Sequence, residues 1–83
     1  MARVMVRFFA RYAELTGCET AAVLVPGSSA TVGDVLTRVR ETVPGARSLP
    51  PRLLAALNLR QVKHDAIVKD GDEVALLPPL SGG

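Results

Sequence analysis

One amphipathic helix, set in a chain that otherwise alternates with a period of two, constrains this sequence more than any other feature. Val32, Val35, Leu36 and Val39 recur at the three-to-four-residue spacing of a single buried helical face. Thr31 stands where it caps the N-terminus, and Asp34 puts a carboxylate in the first turn, where the helix dipole favours it. Pro44-Gly45 ends the helix. Before it, Val4, Val6 and Phe8 alternate with Met5, Arg7 and Phe9, which predicts a strand over residues 3–9. Arg11–Leu15 reads as a short helical turn stopped by Gly17, and Thr20–Val25 as a second strand closed by Pro26-Gly27. After the helix, residues 45–52, with Pro50-Pro51, read as a loop. Leu53–Leu57 reads as a buried strand, Asn58 as a turn and Ala66–Val68 as a short strand. Asp70-Gly71-Asp72 is a tight turn feeding a last strand, Glu73–Leu77. The order strand, strand, helix, strand, strand predicts an α+β domain, a mixed sheet packed on one principal helix.

Size and composition exclude several classes. A chain of 83 residues is one small domain, which buries roughly 60% of its unfolded surface. Its 48% hydrophobic content is enough for one core and argues against disorder. A single Cys forms no internal disulfide, and with a single His it supplies no tetrahedral metal site, so no metal is expected. No apolar run approaches the roughly 20 residues that span a bilayer. Arg3, Arg7 and Arg11 mimic a targeting helix, but the period-two pattern and the lack of an apolar cleavable segment oppose that reading. A cytoplasmic location is expected, one that fits a lone reduced thiol. The net charge of +2 comes from basic residues interleaved with acids along the chain, with no aromatic stacking platform. Neither nucleic acid nor a membrane is therefore an expected partner.

The chemistry concentrates in the last six residues, Pro78-Pro79-Leu80-Ser81-Gly82-Gly83. Two prolines hold the backbone extended and keep it out of the sheet ladder, so residues 78–83 form a flexible tail beyond a domain of residues 1–77. Extended, six residues reach roughly 20 Å. A Gly-Gly end carries no side chain to obstruct a narrow channel, and presents the carboxylate of Gly83. That carboxylate is ionised at neutral pH and must be activated, as an acyl-phosphate or acyl-adenylate, before a nucleophile attacks it. The chain has no phosphate-binding loop of its own. The activating machinery therefore belongs to a partner, and the chain itself is a carried substrate.

Leu53-Leu-Ala-Ala-Leu-Asn58, Asp65, Lys69-Asp-Gly-Asp-Glu-Val74 and Leu77-Pro-Pro-Leu-Ser-Gly-Gly83 together resemble the small, sulfur-carrying subunits of molybdopterin synthases. Val6-Arg-Phe-Phe-Ala10, Glu14-Leu15 and Gly17 extend the resemblance over nearly the whole chain. The resemblance implies a ubiquitin-like β-grasp fold. It implies that an E1-like enzyme uses ATP to adenylate Gly83, that the adenylate becomes a thiocarboxylate with the help of a sulfur donor protein, and that the large synthase subunit receives the tail. Sulfur then passes to cyclic pyranopterin monophosphate. Gly83 would bear the sulfur, and Gly82, Ser81, Leu80, Pro79 and Pro78 would line the partner's channel. The chain itself would bind no cofactor. Leu80 and Leu77 depart mildly from the family's usual Val and aromatic. Carriers for thiamine, cysteine synthesis or tRNA thiolation, a ubiquitin-like protein modifier and a non-covalent binding module remain alternatives.

Pleat alternation adds a docking expectation. With Val4, Val6 and Phe8 turned to the helix, Met5 and Phe9 face away, as do Ala75 and Leu77. Phe9 and Leu77 are therefore candidates for an apolar partner surface beside the tail. Cys18, His64 with Asp65, and the Asp70/Asp72 pair read as structural or solvated residues, and Leu59-Arg60 is assigned no role.

Overall fold

The computed structural model describes residues 1–50 and 53–77. Strands β1 (Ala2–Phe8), β2 (Thr20–Val25), β3 (Leu54–Leu57), β4 (Arg60–Val62) and β5 (Glu73–Leu77) form one mixed sheet in the order β2-β1-β5-β3-β4. Helix α2 (Val32–Thr42) packs on one face, and a short helix α1 (Arg11–Thr16) joins β1 to β2. The β1–β5 pair is parallel, with Val6 opposite Val74; the other pairs are antiparallel.

The alternation of β1 turns Val4, Val6 and Phe8 fully inward, where they meet Val23 and Val25 of β2, and Val74 and Leu76 of β5. Val32, Val35, Leu36 and Val39 of α2 complete this core. Each such side chain, buried, is worth about 1.5–3 kcal/mol relative to exposure. Thr31 caps α2 in a reciprocal box: its hydroxyl accepts from the Asp34 N–H at 3.2 Å, and the Asp34 carboxylate accepts from the Thr31 N–H at 2.9 Å. The helix stops at Thr42, two residues before Pro44. A single 3₁₀ turn (Ala46–Ser48) lies within the expected loop.

Two sequence expectations need correction. Ala66–Val68 joins no sheet. Its backbone instead pairs with the approach to α2, through Val32 N–H to the Ala66 carbonyl and Val68 N–H to the Ala30 carbonyl, both 2.9 Å. The fifth strand is β4, three residues with a polar Arg-Gln start, too short to show a period. It exists because Asn58 and Leu59 both take positive φ (49° and 74°), the geometry of a tight hairpin turn. Asn tolerates that conformation, whereas for Leu it costs about 1–2 kcal/mol. β1 also ends one residue early, at Phe8, because Ala10 turns the chain at φ 50°.

Two glycines at positive φ give an internally controlled test. A Cβ at Gly45 would lie 2.0 Å from the Leu15 carbonyl oxygen, whereas one at Gly17 would meet nothing within 4 Å. Gly17→Ala should lose only about 1–2 kcal/mol, the left-handed strain. Gly45→Ala should lose about 3 kcal/mol or more, read by urea unfolding. The Tyr12 hydroxyl is buried without a hydrogen-bond partner among the described residues. Tyr12→Phe should therefore raise stability by about 1 kcal/mol in the same assay, since an unsatisfied buried donor is removed.

Candidate functional site

Pro78, Pro79, Leu80, Ser81, Gly82 and Gly83 lie outside the described residues, so the site that can be built is the root from which they leave. That root is Leu77, the last residue of β5. β5 lies between β1 and β3, so hydrogen bonds on both sides fix its direction. Val74 and Leu76 anchor it from below, both fully buried in the core. Residues 78–83 therefore follow directly from the central strand of the sheet.

The sheet face away from α2 surrounds this root. Leu77 stands opposite Leu54, and Ala75 opposite Ala56. On the other side Arg7 stands opposite Ala75, and Met5 opposite Glu73. The two alanines make a low floor, 7% and 8% exposed, between larger apolar side chains. Phe9, Leu54 and Met5 are 40%, 39% and 39% exposed, whereas Leu77 itself is half-buried. Phe8 pairs with Leu76, so Phe9 and Leu77 leave the sheet at the same end, as pleat alternation requires. Leu54 belongs to this surface, although the apolar run from Leu53 reads as wholly buried. The signal was the same period of two: Leu53 and Ala55 turn inward, so Leu54 turns out. Arg7 reaches Glu73 at 3.4 Å across this face, an exposed pair that contributes little to stability but keeps a charge beside the apolar floor.

The opposite end of β5 is held by the Asp70-Gly71-Asp72 turn. Arg3 N–H donates to Asp70 Oδ1 and Lys69 N–H to Asp72 Oδ2, each at 2.8 Å. Asn58 Nδ2 donates to Asp72 Oδ1, and Asn58 Oδ1 accepts from the Glu73 N–H, each at 3.0 Å. These carboxylates are engaged in holding the turn. His64 does not address Asp65 through this contact; its Nε2–H donates to the Leu53 carbonyl at 2.7 Å. Cys18 Sγ lies 3.7 Å from the Thr16 hydroxyl in a half-buried place. Among the described residues no group of three or more His, Cys, Asp or Glu side chains could hold a metal ion, and no helix is long and apolar enough to cross a membrane. The arrangement is thus a rigid root with an apolar apron, suited to placing a chain end inside another protein.

Comparison with known proteins agrees with that geometry. The ThiS family model matches residues 6–83. A molybdopterin synthase sulfur carrier subunit from Chlamydomonas reinhardtii is 34% identical, with 98% of this chain and 99% of the relative covered. The small archaeal modifier protein 1 of Haloferax volcanii superposes with a TM-score of 0.85 at 30% identity, covering 96% of this chain and all of that one. A chain in the complex of subunits 1 and 2 of the molybdopterin-converting factor from Helicobacter pylori superposes with a TM-score of 0.67 at 26% identity, covering 98% of this chain and 99% of that one. The α+β sheet on one helix is therefore the ubiquitin-like β-grasp, and the chain belongs to the ThiS family.

Proposed function

We propose that this chain is the sulfur carrier subunit of a molybdopterin synthase, with Gly83 as its reacting residue. The observation that carries the reading is the match to such a subunit over 98% of this chain, together with a ThiS family match that reaches Gly83, on a fold whose central strand leads into that end. An E1-like enzyme joins the Gly83 carboxylate to AMP at the expense of ATP, releasing pyrophosphate. A persulfide on a sulfur donor protein then displaces AMP at the acyl carbon, and a second thiol cleaves the S–S bond of the resulting acyl disulfide, releasing the thiocarboxylate and leaving a disulfide on the thiol's side. The tail enters the large subunit, where this sulfur is transferred to cyclic pyranopterin monophosphate. Gly82 leaves the channel unobstructed, while Pro78 and Pro79 keep the tail from folding back into the sheet ladder. The chain contributes no cofactor of its own, and the ATP is the partner's. The setting is the cytoplasm, where the free Cys18 thiol is the ordinary state.

The apolar apron supplies the non-covalent part of this handover. Phe9 and Leu77, joined by Leu54 and Met5, seat against the large subunit and bring the tail to its channel. The H. pylori complex of subunits 1 and 2 supports such a pairing.

Incubation with the E1-like enzyme, ATP and a sulfur donor should raise the intact mass by the replacement of one oxygen with sulfur. Deletion of Gly83 should abolish the increment while the melting temperature stays unchanged. Conjugates of higher mass that survive thiol reductants would instead mark a protein modifier. Phe9→Asp and Leu54→Asp, each at a site about 40% exposed, should cost on the order of 1–2 kcal/mol and leave the fold intact. Their affinity for the large subunit, measured by calorimetry, should fall by roughly tenfold or more.

A further inference from the structure

Leu59 is the residue of this fold that is hardest to explain by folding alone. It is 89% exposed, the most open large apolar side chain in the described part of the molecule. It also sits at φ 74°, in the left-handed region that a leucine enters only with strain. The tight β3–β4 turn wants glycine or asparagine at that place, and either would fit there without burying or exposing anything of value. An isolated exposed leucine is ordinary, and so is an isolated positive φ. Their coincidence on one residue is a backbone strain whose only product is an apolar side chain held out in water.

The tip that carries it is also unusually well fixed. Asn58 N–H donates to the Glu73 carbonyl at 2.9 Å, its Oδ1 accepts from the Glu73 N–H, and its Nδ2 donates to Asp72. Three hydrogen bonds from the preceding residue thus tie the hairpin tip to the start of β5. A side chain presented on so fixed a base loses little freedom when it is captured. The hairpin is continuous with the apron: Leu54 and Ala56 face outward along β3, which then runs into Leu59. About five residues of strand separate Leu54 from the tip, or roughly 16 Å.

We propose that Leu59 is a second anchor for the large subunit, inserted into an apolar pocket at the end of the sheet face remote from the tail. The proposal rests on the sulfur-carrier reading above for the identity of the partner. Two anchors at opposite ends of β5 fix the rotation of the carrier about the tail axis, which the tail alone leaves free. The partner then holds the β5 direction, and hence the tail, in one orientation.

The test compares full-length wild type with Leu59→Gly, Leu59→Asn and Leu59→Met. Gly and Asn relieve the strain, so both variants should melt at or above the wild-type temperature. Both should bind the large subunit roughly tenfold or more weakly, by calorimetry. Leu59→Met, which keeps the apolar reach, should stay within about threefold of wild type. Sulfur loading by the E1-like enzyme should be unchanged in all three. Equal affinity of wild type and both the Gly and Asn variants for the large subunit would overturn the proposal, as would a loss confined to the E1-like enzyme. A wild-type chain that neither loads sulfur nor binds the large subunit would overturn the functional reading along with it.

Discussion

The parallel pairing of β1 with β5 is the constraint on which the rest of this structure depends. Parallel neighbours cannot be joined by a hairpin, so the chain between them must travel across the sheet and return. Here that journey holds α2 and the β3–β4 hairpin, and it lays the helix over the valines that the two central strands turn inward. Remove the pairing and the sheet parts into a β1–β2 pair and a β5–β3–β4 group, so the helix has no continuous floor.

The same arrangement divides labour between the two sheet faces. Under α2 lie the fully buried Val4, Val6, Val74 and Leu76. The opposite face carries Ala75 and Ala56 beside the Arg7–Glu73 pair, with the exposed Met5, Phe9 and Leu54 around them. Small side chains in mid-sheet let another protein's surface approach the backbone closely, while the larger ones at the margins offer area to bury. A sheet with one closed face and one face that leaves large apolar side chains exposed has surface available for association.

Much of this was legible in the residues because local and global preferences agree. The helix announced itself through a cap, a dipole-compatible acid and a single stripe, and all three hold in the structure. β1, β2 and β5 followed from alternation and from their bounding turns. Ala66–Val68 misled because a β-branched run pairs as readily with a helix approach as with a sheet, and only the tertiary path decides. β4 was invisible because a three-residue strand is created by its turn rather than by its own pattern, and that turn uses a leucine where glycine would be the recognisable signal. Leu54 was hidden inside an apolar run whose two faces have different fates. The tail's proposed chemistry could be argued from Gly83 alone, whereas the outward apolar face needed the register of β5 against β3.

Because β5 is central in the sheet and follows the other four strands in the described sequence, the order of synthesis matters. A nascent polypeptide that has emerged only as far as β4 has its helix and four strands, but no middle to assemble them on. The β1–β2 and β3–β4 pairs can form without residues 73–77, but joining the two pairs into one sheet waits for them. The strand that joins the two halves of the sheet is also the one that leads into residues 78–83. A lesion within β5 therefore strikes the sheet as a whole and not only the segment that follows it.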